Sequence, residues 1–428
     1  MENNKKIKIG LIGLGTVGSG VFKTLGGFDH VEIVKIAVKN KNKKRNIENL
    51  DESIITDNPY EIVNDPSIDI VVELIGGIEP AFDLIKTAIS NGKHIVTANK
   101  ELLAKHGEEL FRHAEAHNRV VLYEAAVAGG IPIITPVKTI LAGNNITKIE
   151  AILNGTTNYI LTKMDVDGAS YEDVLKEAQK LGYAEADPTS DVEGYDSAYK
   201  IAILSSISFK KRINIDNVYK EGISKIKAQD IKAANDLGYK IKLVALAQID
   251  KDEKVDVRVH PMLVSKDSIL AHIDYVKNAI KLEGYPVGSI ALSGAGAGEF
   301  PTASSVIGDI LAIADELGTT DYLLPMMRCK HKDSAQMINI TNTVNKYYLS
   351  INAKNEKGVI GKIGAICAEN NISLASIVQR GVEENNTADI AVITEMALER
   401  DVRKTIDMLE ADESINTVAS LIRVQTDK

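Results

Sequence analysis

The chain has 428 residues, more than a single hydrophobic core usually organises, and this length predicts about three domains. Apolar residues make up 44% and charged residues 25%, as in ordinary globular proteins, and the net charge of −9 argues against a nucleic-acid-binding protein. No apolar run approaches the roughly 20 residues of a membrane helix, and no signal peptide is visible. The two cysteines, Cys329 and Cys367, are far apart, so we expect a cytoplasmic protein without a membrane partner or a disulfide framework.

Strands and helices alternate along the first 130 residues. The predicted strands are 7–12, 31–38, 68–74, 94–97 and 119–124, and the predicted helices are 15–25, 60–64, 81–91 and 105–117. Such alternation is typical of a parallel, doubly wound sheet. Residues 1–130 are therefore predicted to form an α/β dinucleotide-binding domain of the Rossmann type.

Two further regions follow. Residues 131–330 are predicted to form an α+β domain, with helices over 170–181, 195–208 and 302–318, strands over 149–154 and 287–292, and an antiparallel pair over 240–248 and 255–264. Residues 331–345 are polar and predict a linker. Residues 346–428 have the element order βαββαβ, which predicts a ferredoxin-like unit.

A glycine-rich loop follows the first predicted strand and opens the first helix. It consists of Gly13, Leu14, Gly15, Thr16, Val17 and Gly18. In this context the first glycine permits a tight turn, the second lets a pyrophosphate approach the backbone, and the third lets the helix pack on the strand. The pattern predicts a nicotinamide dinucleotide site, and the alternative is a purely structural turn.

The end of the second strand bears on the choice between NAD and NADP. NAD-selective sites usually carry an acidic residue there, which holds the ribose 2′-hydroxyl. This chain has no acidic residue at that point, and five of the seven residues from Lys39 to Arg45 are basic. A basic cluster can pair with a 2′-phosphate, so NADP is favoured while NAD stays possible. The alternative is a solvated basic loop.

A dehydrogenase needs a group that exchanges the hydroxyl proton as hydride leaves. None of the eight histidines lies in an obvious motif, and His113 and His117, four apart, indicate a surface helix more readily than a metal pair. Lysine is the alternative base. Lys100 follows a predicted strand end, and Lys200 lies four residues after Asp196 on a largely apolar helix. That spacing fits either a surface ion pair or a buried pair facing a cleft.

The segment before this helix is acidic. Glu185 and Asp191 lie in a loop constrained by Pro188 and could bind a substrate ammonium group. A substrate that carries both an ammonium and a hydroxyl group would use such acids together with the lysines.

Taken together, these motifs resemble homoserine dehydrogenases over the whole chain. The resemblance rests on GLGTVG, TANKELLA, YEAAVAGGIPI, LNGTTNYIL, LGYAEADPTSDVEGYDSAYK and GAGAGEFPTASSV, of which the stretch 181–200 is the most specific. It implies reversible NAD(P)-linked oxidation of L-homoserine to L-aspartate 4-semialdehyde, a step towards threonine and methionine.

The resemblance also implies that residues 131–330 serve substrate binding, catalysis and dimerisation, and it implies roles for individual residues. Lys200 would exchange the proton with Asp196 as its companion acid, and Lys100 would lie between nicotinamide and substrate. Glu185 would bind the homoserine amino group. Residues expected nearby in the substrate site are Asp191, Tyr183, Thr156 and Gly155, and Gly296 is expected at the cofactor. The family's monovalent-cation site, usually sodium, would fall on Glu124, Val127, Gly129 and Ile131, mostly through backbone carbonyls.

Residues 346–428 resemble an ACT domain, a module that binds amino acids. In this family it would sense threonine, and Gln379 falls near a position used for threonine contact. The usual Asp and Pro of the first loop are replaced by Asn355 and Lys357, so dimerisation alone is the alternative role. A homodimer or homotetramer is expected.

Two other functions stay open at this stage. A phosphorylating semialdehyde dehydrogenase would need a cysteine nucleophile, and the two cysteines lie in the linker region and the tail. A non-catalytic cofactor-sensing regulator would not need both Lys100 and Lys200.

Overall fold

The computed structural model describes residues 6–319, 331–380 and 386–426, and Cys329 lies outside them. The chain divides into two compact units. Unit 1 comprises Met1–Ile149, Asp196–Val218 and Lys277–Ala335, and unit 2 comprises Glu150–Tyr195, Tyr219–Val276 and Gln336–Lys428. This division cuts across the predicted boundaries, because each unit combines segments that are distant in the sequence.

The N-terminal region has the predicted alternation. Its strands are β1 (Ile7–Ile12), β2 (Val31–Ala37), β3 (Ile55–Thr56), β4 (Ile70–Glu73), β5 (His94–Thr97) and β6 (Val121–Leu122), and its helices are α1 (Thr16–Leu25), α2 (Tyr60–Val63), α3 (Ala81–Ser90), α4 (Lys100–Ala116) and α5 (Ile134–Lys138). The six strands are parallel in the order β3-β2-β1-β4-β5-β6. The Rossmann-type prediction is confirmed, and the connections reverse direction between β1 and β4, where such sheets bind ligands.

Two boundaries in this region differ from the prediction for local reasons. Helix α4 begins at Lys100 rather than 105, because the Asn99 side chain accepts the Leu102 N–H at 3.1 Å and caps the helix there. The last predicted strand ends at Leu122. Glu124 instead starts a 3-10 turn, and its backbone N–H is donated to Asp309 at 2.7 Å.

The middle of the chain contains more helix than predicted. Its elements are β7 (Asn145–Ile152), α6 (Gly155–Asp167), α7 (Tyr171–Lys180), α8 (Thr189–Val192), α9 (Tyr195–Ser208), β8 (Tyr219–Lys220), α10 (Ala228–Asp236), β9 (Tyr239–Ile249), β10 (Lys254–Ser265), β11 (Lys277–Tyr285), β12 (Gly288–Ala295) and α11 (Glu299–Thr319). Helix α6 was not predicted, because it is buried on nearly every side, so polar residues such as Thr156 and Asn158 are buried together with Ile160 and Leu161 and no one-sided apolar stripe marks the helix. The predicted antiparallel pair is confirmed as β9 and β10.

Helix α11 packs in unit 1 although its sequence follows the middle region. Ala303, Val306 and Ile310 of α11 lie in the same core cluster as Val21 and Leu25 of α1. The approach is close, since a Cβ at Gly20 would lie 2.5 Å from the Glu299 carbonyl oxygen. Residues 302–318 therefore complete the core of the dinucleotide-binding domain rather than that of a separate substrate domain.

The C-terminal region has the predicted βαββαβ order. Its elements are β13 (Gln336–Met337), β14 (Val344–Lys354), α12 (Val359–Glu369), β15 (Leu374–Arg380), β16 (Thr387–Thr394), β17 (Ala397–Leu398), α13 (Glu399–Glu410) and β18 (Ile415–Val424). The sheet order β18-β14-β16-β15 confirms the ferredoxin-like prediction. Strand β18 also pairs with β10 in parallel, Met262 facing Arg423, so this module extends the sheet of unit 2.

The predicted linker, residues 331–345, has ordered structure in its second half. Strand β13 pairs with β10, and the buried Arg258 donates to Thr343 Oγ1 at 3.1 Å and to Asn345 Oδ1 at 2.6 Å. Two of the polar side chains in this segment, those of Thr343 and Asn345, are thus partners of a buried guanidinium. Among residues 6–319, 331–380 and 386–426, no helix is long and apolar enough to cross a membrane.

Candidate functional site

The glycine loop has the geometry of a dinucleotide cradle. Gly13 has φ +106°, and a Cβ there would lie 2.8 Å from the Leu74 carbonyl oxygen. Gly18 packs still more closely, since a Cβ added there would lie 2.2 Å from the Gly13 carbonyl oxygen. A Cβ added at Gly15, by contrast, would meet no atom within 4 Å. Gly15 also precedes the first turn of α1. The loop thus leaves open space at a helix N-terminus, where backbone N–H groups and the helix dipole attract phosphate.

The flanking loop residues complete this surface. Leu14 and Val17 are partly buried and pack against the core of unit 1, while Thr16 is exposed at the first position of α1. The residues present therefore fit a nicotinamide dinucleotide.

The basic segment after β2 is exposed. Lys39, Lys41 and Lys43 all point to solvent, and Lys41 pairs with Asp57 at 3.5 Å. Arg45 folds back on the loop and donates to the carbonyl oxygens of Asn40 at 2.7 Å and Lys43 at 2.8 Å. Arg45 thus organises the loop, and the lysines are the cations that it presents.

The carboxyl ends of β4 and β5 carry a hydrogen-bonded network. Glu73 is fully buried, and its Oε1 accepts the N–H groups of Ile75 at 2.9 Å and Gly76 at 3.2 Å. Its Oε2 accepts the hydroxyl of Thr97 at 2.6 Å. Burial raises the pKa of Glu73, against the opposing effect of these three hydrogen bonds.

Three of the predicted catalytic residues come together in unit 1. The Asp196 carboxylate lies 2.7 Å from Lys200 Nζ through Oδ2 and 3.3 Å from Lys100 Nζ through Oδ1. The side chains of Asp196 and Lys200 are 6% and 11% exposed, and that of Lys100 is 42% exposed. The surface-pair interpretation of Asp196 and Lys200 is therefore wrong. The cluster therefore places a buried and oriented amino group, that of Lys200, beside the more accessible amino group of Lys100.

The histidine pair has no such setting. The rings of His113 and His117 lie 4.3 Å apart at the surface of α4, and His113 Nε2 contacts Ser90 Oγ at 2.9 Å. Within the described parts of the chain, no group of three or more His, Cys, Asp or Glu side chains is arranged to hold a metal ion. The position of the two rings at the surface of α4 supports the surface-helix interpretation.

In unit 2, Asp191 organises the acidic segment. Its Oδ1 accepts the amide of Asn154 at 2.7 Å, and its Oδ2 lies 3.0 Å from the Thr156 hydroxyl. That hydroxyl also lies 2.6 Å from the carbonyl oxygen of Tyr183. Asn154 in turn caps α6 through the Thr157 N–H. Asp191 therefore ties the start of α6 to the 183–191 segment.

The other predicted substrate residues lie on the same segment or beside it. The Glu185 side chain is exposed, while its carbonyl oxygen accepts the Gln179 side-chain amide at 3.1 Å. The Tyr183 ring is 44% exposed and lies in a tilted arrangement with the Tyr159 ring, with the ring centroids 5.0 Å apart. Packing requires glycine at position 155, since a Cβ added there would lie 2.9 Å from the Val276 carbonyl oxygen. Of these residues, Glu185 presents its charge to solvent.

The predicted cation loop is buried in unit 1. The Glu124 carboxylate accepts three backbone N–H groups at the start of α5, from Ile133, Ile134 and Thr135 at 2.5–2.8 Å. The Glu124 side chain thus caps α5, so the ligands that remain for a cation are backbone carbonyl oxygens. Ala128 and Gly129 both have positive φ, 57° and 55°, which turns the chain sharply before Ile131.

The end of β12 covers this loop. The Gly130 N–H is donated to Ala295, and a Cβ at Gly129 would lie 2.4 Å from the Gly296 carbonyl oxygen. Gly296 also abuts Asn278, whose buried side-chain amide has no hydrogen-bond partner among the described residues. Carbonyl oxygens beside an unsatisfied buried amide fit a small hard cation or its water.

Comparison with known proteins agrees with this geometry. Residues 13–124 match the family model described as the NAD-binding domain of homoserine dehydrogenase, residues 132–311 match that of homoserine dehydrogenase, and residues 347–413 match that of the ACT domain. A homoserine dehydrogenase of Synechocystis sp. is 42% identical over 98% of this chain and 99% of its own length. The chain belongs to the homoserine dehydrogenase family.

Solved structures of homoserine dehydrogenases support the same assignment. The crystal structure from Thiobacillus denitrificans superposes with a TM-score of 0.91, at 40% identity, over 98% of each chain. A hyperthermophilic archaeal homoserine dehydrogenase in complex with NADPH superposes with a TM-score of 0.61 at 29% identity, covering 72% of this chain and 97% of that one. Homoserine dehydrogenases are NAD(P)-dependent oxidoreductases that act on a CH–OH group, and the nicotinamide-cofactor prediction is confirmed at this level.

Three polar residues with notable settings in the structure were not singled out from the sequence. Glu73 stands at the end of an apolar strand, Asn154 follows another strand, and Asp309 lies in a helix of unit 1. Burial raises the pKa of Asp309 to about 8, although the Glu124 N–H acts in the opposite direction. A charged or amide residue at the carboxyl end of a buried strand was the available signal for the first two.

Proposed function

We propose that this chain catalyses the reversible oxidation of L-homoserine to L-aspartate 4-semialdehyde, a step towards threonine and methionine. The observation that carries the proposal is the Lys100–Asp196–Lys200 cluster of unit 1, in a chain of this family. It supplies ionisable groups for a proton transfer in the unit that carries the dinucleotide cradle.

A bound nicotinamide would supply the redox chemistry, as hydride acceptor during oxidation of the carbinol carbon and as hydride donor during reduction of the aldehyde carbon. Lys200 Nζ accepts the hydroxyl proton as the neutral amine during oxidation, and the ammonium group so formed gives a proton back during reduction. Asp196 orients this amine through the 2.7 Å contact. Lys100, held by the other oxygen of Asp196 at 3.3 Å, is proposed to lie between nicotinamide and substrate.

The substrate ammonium is assigned to Glu185, because this carboxylate is exposed whereas the oxygens of Asp191 already contact Asn154 and Thr156. Asp191 and Thr156 are then positioning residues that shape the loop, while Tyr183 and Gly155 form part of its surface. This division of roles refines the expectation that both acids bind the ammonium directly.

NADP is proposed as the preferred cofactor, with NAD as the weaker one. Support comes from the exposed Lys39, Lys41 and Lys43 after β2, where an acidic residue would favour the ribose hydroxyl of NAD. The archaeal relative described above was solved with NADPH.

A monovalent cation, sodium in the first instance, is proposed at the loop from Glu124 to Ile131, held by the backbone carbonyl oxygens of Glu124, Val127, Gly129 and Ile131. Its expected effect is to stabilise the buried turn at Ala128 and Gly129. Thermal unfolding in sodium chloride against choline chloride at equal ionic strength tests this, and equal melting temperatures would contradict it.

The ACT domain is proposed to bind L-threonine and to lower activity, with the alternative that it serves only in assembly of a homodimer or homotetramer. Gln379 supports the first role, since its side-chain amide lies 3.3 Å from Asn355 Oδ1 in the loop where effector contacts are expected.

The decisive experiment follows NADPH oxidation with L-aspartate 4-semialdehyde by the wild type and by Lys200→Ala. The wild type should be active, and the variant should lose about 100-fold or more in kcat, as expected for removal of a general acid–base group. Lys176→Ala, at an exposed position of α7, is the control and should retain wild-type activity. An inactive wild type that still binds NADPH would favour a cofactor-sensing regulator, and a fully active Lys200→Ala would remove the catalytic assignment.

A further inference from the structure

Glu73 occupies a central place between the cofactor loop and the lysine cluster. Its Oε1 holds the N–H groups of Ile75 and Gly76, at the start of a turn in which Gly76 and Gly77 have φ of +71° and +73°. Leu74 and Ile75 lie directly against Gly13, since a Cβ on Gly13 would approach both within 3.1 Å. The carboxylate therefore fixes the segment on which the cofactor loop rests.

The other oxygen reaches towards Lys100. Glu73 Oε2 accepts the Thr97 hydroxyl at 2.6 Å, and Thr97 Oγ1 accepts the Asn99 N–H at 3.0 Å. Asn99 caps α4 through the Leu102 N–H and donates its amide to the Gly77 carbonyl oxygen at 2.6 Å. These bonds close a ring that runs from β4 through β5 and back to the Gly76–Gly77 turn.

Lys100 is the first residue of the helix that this ring caps. Its Nζ reaches Asp196 at 3.3 Å, so the direction of the first turn of α4 sets where the lysine approaches the cluster. A displacement of about 1 Å at a catalytic group can cost about 100-fold in rate. A ring that fixes both Gly13 and Lys100 therefore fixes the distance between cofactor and lysine.

We infer that Glu73 is a positioning residue for hydride and proton transfer, which acts through Thr97 and Asn99 to hold Lys100 in register with the dinucleotide loop. This rests on the proposed role of Lys100 in the reaction. Glu73 itself, fully buried beneath the turn, touches neither reactant.

The side chains allow a test in matched pairs. Glu73→Gln keeps an acceptor for the two backbone N–H groups and can donate to Thr97, whereas Glu73→Ala removes both bonds. Thr97→Ser keeps the hydroxyl, whereas Thr97→Val removes it. Dissociation constants for NADPH from fluorescence quenching and kcat for semialdehyde reduction are measured for each variant and for the Glu73→Ala/Thr97→Val double variant.

Glu73→Ala and Thr97→Val should each lose about tenfold to 100-fold in kcat with a weaker NADPH affinity. Glu73→Gln and Thr97→Ser should keep most of the wild-type kcat and NADPH affinity. The double variant should be little worse than either single variant, because both substitutions break the same ring of hydrogen bonds. Asp230→Asn is the control. Like Glu73, Asp230 is a buried acid that accepts a backbone N–H and a side-chain hydroxyl, but it lies in unit 2. Asp230→Asn should therefore leave kcat and the NADPH dissociation constant unchanged.

The inference would be overturned by a folded Glu73→Ala variant that has wild-type kcat and NADPH affinity. Fully additive losses in the double variant would also overturn it. Where Glu73→Ala fails to fold, the Thr97→Val and Thr97→Ser pair decides, since equal kcat and affinity in those two also overturn it. The NADPH affinities test the ring even if the wild type does not reduce the semialdehyde, so failure here is distinct from failure of the proposed function.

Discussion

The carboxylate of Asp196 stands between two lysines, with Oδ2 at 2.7 Å from Lys200 Nζ and Oδ1 at 3.3 Å from Lys100 Nζ. Because Asp196 and Lys200 are both buried, removing the negative charge leaves an ammonium group without its compensating partner, which is costly in a protein interior. The arrangement thus makes one acid responsible for the placement of both amines.

Asp196→Asn should retain the fold and lose about 100-fold in kcat, because the amide keeps the size of the side chain but no longer holds both ammonium groups. Steady-state kinetics of NADPH oxidation measure this loss. Asp29→Asn, at an exposed position of unit 1, is the control. Equal kcat in the wild type and Asp196→Asn would show that the acid has no part in the chemistry.

Charge reversal of Lys39, Lys41 and Lys43 to Glu should raise the KM for NADP about tenfold or more while changing that for NAD far less, because only NADP carries the 2′-phosphate that these exposed cations can pair with. The comparison uses initial rates of homoserine oxidation with each cofactor. Reversal of Lys225, Lys232 and Lys251, also exposed but in unit 2, gives the same change in net charge. A similar rise in both KM values would contradict the NADP assignment.

Asp309 predicts a pH dependence of stability. Its pKa in the folded protein is about 8, raised from 3.8 by burial, so the folded state keeps a proton that the unfolded state loses between these values. The free energy of unfolding contributed by this group is therefore greatest below about pH 4 and falls as pH rises to about 8. Asp309→Asn keeps an acceptor for the Glu124 N–H and should not show this decline.

Urea unfolding at pH 5 and pH 8.5 measures the difference. The wild type should lose more stability than Asp309→Asn over this interval. Asp51→Asn is the control, because the backbone and side-chain hydrogen bonds from Ser53 lower the pKa of Asp51 and its contribution changes only at more acidic pH. Parallel pH profiles for the wild type and Asp309→Asn would show that Asp309 is ionised in the folded protein.

L-Threonine should bind the full-length protein and lower its activity, whereas serine and methionine should act weakly. Calorimetric titration and inhibition curves measure the two effects. Gln379→Ala should weaken threonine binding, and Gln336→Ala, an exposed glutamine on β13, should not. Absence of threonine binding in the intact protein would leave assembly as the role of the ACT domain.

Local patterns determined much of this protein. The alternation of short apolar strands with amphipathic helices predicted a parallel sheet and five of its six strands, because strand and helix periodicity are properties of neighbouring residues, whereas the two-residue strand β3 was missed. The glycine spacing predicted the cofactor loop for the same reason. The motif around Lys200 led to the family through resemblance, and the comparisons bear this out.

Only the tertiary structure decided the rest, because it depends on residues far apart in the chain. A spacing of four residues allows either a surface ion pair or a buried one, and the packing around Asp196 and Lys200 decides that this pair is buried. Helix α11 joined the core of the dinucleotide-binding domain although about 280 residues separate it from α1. Glu73 and Thr97 look unrelated in the sequence, yet adjacent parallel strands end side by side and bring the carboxylate within 2.6 Å of the hydroxyl.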